Sequence, residues 1–96
     1  MMELQIDLQE NSYGNNIKYI VKLQFNDCIK TYEFNEQIPV IRFTNMINIL
    51  NDGGLLDHFS TSQNVDFIQR LYTLSVFNRL SFAKAMEVYG HLFLRR

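Results

Sequence analysis

The stretch VDFIQRLYTLSVFNRL, Val65 to Leu80, sits within the longest part of the chain free of Gly and Pro. Ile68, Leu71, Tyr72 and Ser75 recur at the i, i+3, i+4, i+7 spacing of one helical stripe. Phe67, Leu74 and Phe77 widen that stripe beyond what a one-sided surface helix needs. The spacing therefore predicts a central helix that touches other protein on two sides. Asp66, Gln69, Arg70 and Thr73 leave it a narrow wet face, with Asp66 and Arg70 as an i,i+4 pair. Upstream, Ser60 and Gln63 have the spacing of a capping box, and Thr61, Ser62 and Asn64 add oxygens for the orphan N–H groups of the first turn.

Two further helices flank this one. Ser81 is placed to cap a last helix from Phe82 to about residue 94, with an inner stripe of Phe82, Ala85, Met86, Tyr89 and Phe93. On the other side, Leu55–Phe59 is a short apolar connector. Before it, Gly53-Gly54 supplies a left-handed cap to a helix marked by Val40, Phe43, Met46, Ile47 and Leu50. Pro39 belongs in the first turn of that helix, where a missing N–H costs nothing.

The period changes to two in the N-terminal third. Residues 3–9 alternate, with Leu4, Ile6 and Leu8 on one side and Glu3, Gln5, Asp7 and Gln9 on the other. The polar stretch ENSYGNN, residues 10–16, reads as a turn, followed by strands Ile17–Phe25 and Cys28–Phe34. Asn26-Asp27 between the last two fits a two-residue hairpin. That turn pairs Phe25 with Cys28, Leu23 with Lys30, Val21 with Tyr32 and Tyr19 with Phe34, so one face is apolar except for Lys30. Ile20 and Ile29 fall on the polar face.

The order of elements defines an α+β chain of one domain, residues 1–96. A three-stranded antiparallel meander, residues 1–36, precedes a helical part, residues 38–96, packed on one sheet face. Ile6, Val21, Leu23, Tyr32, Phe43, Ile47, Ile68, Leu71, Val76, Met86 and Tyr89 are the expected core.

Motifs of catalysis and cofactor binding are missing. The sequence has no P-loop, no G-x-G-x-x-G, no H-E-x-x-H and no C-x-x-C. Cys28, His58 and His91 fall on three separate elements, too few and too scattered for a zinc site. Asp57-His58 near Ser60 is the one grouping that suggests an enzyme, but neighbours in sequence do not make a triad. No cofactor and no catalysis are expected. A lone cysteine fits a reducing compartment, and no membrane-length apolar run or secretory leader is visible, so a cytoplasmic protein is expected.

Partner binding is the remaining class. The chain is 47% hydrophobic, with 8 Phe and 5 Tyr in 96 residues. That exceeds what a small core hides easily. Phe77, Phe82, Leu92, Phe93 and Leu94 are the expected partner or dimer surface. A non-enzymatic protein-binding module follows, and the abundance of Asn and Ile suits an AT-rich phage or mobile-element origin and a role as inhibitor or adaptor of a host complex. A homodimer is expected through the helical surface, because self-pairing of the first strand would bring the acids Glu3, Asp7 and Glu10 together.

Nucleic acid is the alternative partner. Net charge is −1, so no global basic field exists, but Arg70, Arg79, Lys84, Arg95 and Arg96 concentrate in the last third. The last two helices around Leu80-Ser81 resemble a helix-turn-helix in outline, yet the final helix offers only Lys84, Glu87 and His91 outward. Tyr19, Phe25, Tyr32 and Phe34 on one sheet face offer a second route, base stacking.

Overall fold

The computed structural model describes residues 4–94, apart from the side chains of Tyr13 and of residues 92–94. Strands β1 (Leu4–Tyr13), β2 (Asn16–Phe25) and β3 (Cys28–Phe34) form an antiparallel sheet in the order β1-β2-β3. Helices α1 (Gln37–Asp52), α2 (Thr61–Val76) and α3 (Phe82–Leu94) follow, with one 3₁₀ turn at Leu55–His58. This is the α+β meander-then-helices order that the sequence predicts.

The β2–β3 register is the one set by Asn26-Asp27, with Phe25 opposite Cys28 and Tyr19 opposite Phe34. Asn26 takes a φ of 52°, the left-handed geometry that a two-residue hairpin requires at its first central position. The first hairpin differs from expectation. Residues 10–16 are not an open turn: β1 runs on to Tyr13, and Gly14-Asn15 alone makes the bend, with Gly14 at φ 61°. Polar residues such as Asn11 and Ser12 remain paired, with Lys18 and Ile17, because this end projects beyond the helices as a ribbon wet on both faces. Pairing there needs ladder hydrogen bonds and no apolar side.

The helices cover the face that carries Val21, Leu23, Phe25, Tyr32 and Phe34, all buried. From α1 come Val40, Phe43, Met46, Ile47 and Leu50, and from α2 Phe67, Ile68 and Leu71. Pro39 is the third residue of α1, where its missing N–H is one the helix leaves unpaired anyway. Two aromatic groups organise the layer. Tyr32, Phe34, Phe43 and Tyr72 lie with ring centroids 5.0–6.0 Å apart. Tyr89 of α3 meets Phe59 at 4.8 Å and Phe67 at 5.7 Å, edge to face.

Polar ends of these residues tie elements together. The Tyr72 hydroxyl donates to the Glu33 carbonyl at 2.6 Å, and the Tyr89 hydroxyl to the Leu55 carbonyl at 3.1 Å. The capping box at Ser60 forms as expected: its hydroxyl accepts from the Gln63 N–H, and the Gln63 side-chain Oε1 accepts from the Ser60 N–H. Asn64 does something else than cap. Fully buried, its amide donates to the Leu56 carbonyl at 2.8 Å and pins the connector beneath α2.

Helix ends decide which side chains reach solvent. Gly54, at φ 74°, is the left-handed residue that ends α1. Helix α2 stops at Val76, short of Leu80, because Asn78 turns left-handed at φ 58°. The Arg79 N–H then reaches back to the Leu74 carbonyl and the Asn78 N–H to the Ser75 carbonyl, the bond pair of a Schellman motif. Ser81 caps α3, its hydroxyl accepting from the Lys84 N–H at 3.1 Å.

The core expectation needs four adjustments. Val76 is 44% exposed, since it sits at the last turn of α2 where the chain leaves the core. Ile6, Met86 and Tyr89 are half-buried at its margin. Phe82, expected on the inner stripe of α3, is exposed, and Ala85 takes the buried position; Phe93 lies outside the described side chains.

Candidate functional site

Nine large apolar side chains are exposed among the described residues, and six of them lie on the helical layer. On α1, Ile38, Ile41 and Ile49 share a stripe opposite the buried one, Ile38 being 61% exposed. At the α2–α3 connection, Val76, Phe77 and Phe82 are exposed, Phe77 at 67%. A hydrogen bond from the Arg42 guanidinium to the Asn78 side-chain oxygen joins the two regions. It holds the turn of α1 that bears Ile38 and Ile41 beside the segment that bears Val76 and Phe77. The left-handed Asn78 ends α2, and Phe77, still bonded through its N–H to the Thr73 carbonyl, lies on the exposed face of the last turn.

Phe77 and Phe82 were legible in the sequence as surplus to one stripe. The side chains of Leu92, Phe93 and Leu94 lie outside the described residues. Ile38, Ile41 and Ile49 were missed. Their signal was present, a second apolar stripe at i, i+3 and i+11 that escapes a reading which follows only the strongest periodicity.

The basic residues are dispersed. Arg70 is paired with Asp66 at 3.3 Å, and Lys84 with Glu87 at 3.2 Å, so each has a carboxylate one turn away. Arg79 is exposed at the Schellman turn, and Arg95 and Arg96 lie outside the described residues. The sheet aromatics are not a stacking platform: Phe25, Tyr32 and Phe34 are buried beneath the helices.

Clefts are shallow and poor in reactive groups. One cleft, about 540 Å³, lies by the β1–β2 hairpin and is lined by Asn15, Asn16, Ile17, Lys18, Tyr19, Asn35 and Gln37. It brings one lysine among amides and apolar groups. A second, about 180 Å³, lies between Glu33, Glu36, Pro39, Tyr72 and Val76. Asp57 and His58 are both exposed on the 3₁₀ turn, and Ser60 is engaged in its capping box. Among the described residues, no group of three or more His, Cys, Asp or Glu stands close enough to hold a metal ion. Cys28 is half-buried against the core, and His91 is exposed near the end of α3. Burial pushes the Tyr32 phenol up to about 12, with the Cys28 thiolate adding to the shift. That is a consequence of packing, since Tyr32 faces no cleft. No helix of the described residues is long and apolar enough to cross a membrane.

No family model, curated protein or solved structure matches the chain.

Proposed function

We propose that the chain is a non-enzymatic protein-binding module that docks through its helical face. The observation that supports this reading is the exposure of Ile38, Ile41, Val76, Phe77 and Phe82 on the helical layer, where the Arg42–Asn78 hydrogen bond links α1 to the end of α2. Exposed aromatic side chains on a fixed framework are the usual anchors of a protein interface. A role as inhibitor or adaptor of a larger complex in a phage or mobile element suits a chain of this size. Phe77, the most exposed of these side chains, is the expected anchor.

Affinity capture from cells that express the chain tests this. A partner retained by the unmodified protein is expected to be lost by Phe77→Asp and by Ile38→Asp, and to persist at raised salt, since apolar burial is insensitive to screening. The competing reading, a nucleic-acid-binding accessory protein, predicts the reverse. A shift of labelled DNA or RNA at physiological salt, abolished by changing Arg70, Arg79 and Lys84, establishes that reading in its place.

A further inference from the structure

We infer that β1 is the docking edge for a second copy of this chain, paired antiparallel in a register centred on Ile6. The two edges of the sheet are unlike. Strand β3 carries Lys30 on its core face, and the Tyr72 hydroxyl occupies the carbonyl of Glu33. Both features block a further strand. Strand β1 lies at the opposite edge, pairs with β2 without a bulge along its whole length, and contains neither Lys nor Pro. Of the usual guards of an exposed edge, a bulge, Lys and Pro are absent from it, and its charges are the acids Asp7 and Glu10.

Side chains on the core face of β1 also want cover. The helices pack chiefly on β2 and β3. Leu4 and Ile6 are consequently only half-buried, and Leu8 is 51% exposed.

The sequence of this edge fits itself. Leu4-Gln5-Ile6-Asp7-Leu8 reads apolar, amide, apolar, acid, apolar, and reversal keeps the apolar positions while exchanging amide and acid. Centred on Ile6, an antiparallel copy places Leu4 opposite Leu8 of the second copy and Ile6 opposite its equivalent. Asp7 then meets Gln5 of the second copy, a carboxylate facing an amide donor. In this register no acid of β1 stands directly opposite an acid of the second copy. Same-face matching requires the two-fold axis to stand perpendicular to the sheet. The product is one continuous antiparallel sheet with both helical layers on the same side. The face proposed above for a different partner stays uncovered and is displayed twice, which raises avidity without a new contact. The inference stands independently of that proposal.

Sedimentation velocity and cysteine cross-linking test it. The unmodified protein at micromolar concentration is expected at twice its 11.4 kDa mass. Leu8→Lys is expected at the monomer mass with an unchanged circular dichroism spectrum, because Leu8 is exposed. Opposed residues of an antiparallel pair have Cα atoms about 5 Å apart, within disulfide reach. In a Cys28→Ser background, Ile6→Cys is therefore expected to give a covalent dimer under mild oxidation, and Leu8→Cys is not. A monomer mass for the unmodified protein overturns the inference. So does a dimer that survives Leu8→Lys but dissociates with Phe77→Asp, or a cross-link at Leu8→Cys and none at Ile6→Cys.

Discussion

The side-chain amide of Asn64 donates to the backbone carbonyl of Leu56 at 2.8 Å, with both residues buried. This bond fastens the α1–α2 connection to the core and fixes where α2 begins.

Asn64→Leu is expected to destabilise the protein by about 1–3 kcal/mol, because it leaves a buried carbonyl without its donor. Urea unfolding of both proteins measures this through the midpoint at constant slope. An unchanged midpoint removes Asn64 from its structural role.

Leu71 and Val76 lie on the same helix and separate core from surface. Leu71 is fully buried and Val76 is 44% exposed. Leu71→Ala is expected to cost about 2–5 kcal/mol from transfer and cavity terms together. Val76→Ala, leaving no closed cavity, is expected to stay within about 0.5 kcal/mol. Thermal melts of the two variants distinguish them, and equal losses contradict the placement of the α2 terminus.

Tyr32 carries a pH prediction. Burial raises its phenol from 10.0 to about 12, so the folded state holds that proton more tightly than the unfolded chain. The associated stability is complete below the unfolded value of 10.0 and is lost as pH rises from there through about 12. The loss is on the order of 2 kcal/mol. Tyr32→Phe is expected to flatten this part of the alkaline decline. The urea midpoint followed from neutral pH into that range compares the two proteins, and parallel curves refute the assignment.

Much of this fold was legible in the sequence, for identifiable reasons. Asn26-Asp27 fixes the parity of two strands, so one dipeptide sets seven cross-strand pairs. Ser60 and Gln63 mark the start of α2 because their bonds are local. The extension of β1 through Tyr13 was not legible, since a ribbon wet on both sides has no apolar alternation to announce it. The end of α2 was hidden for a related reason. Val76, Phe77 and Leu80 continue the apolar composition of the helix, and the left-handed backbone of Asn78 leaves no periodic trace. The candidate surface was half legible: Phe77 and Phe82 stood out as surplus, whereas Ile38, Ile41 and Ile49 were masked by the stronger buried stripe of the same helix.

The central claim is that the face around Phe77 meets another protein. A photoreactive phenylalanine analogue placed at position 77, irradiated in expressing cells, tests it most directly. Thr31, exposed on the opposite face of the sheet, is the control position. The predicted result is a discrete adduct between position 77 and a different protein, lost when Phe82→Asp is added and not formed from position 31. A nucleic-acid adduct, or none at position 77, would contradict the account.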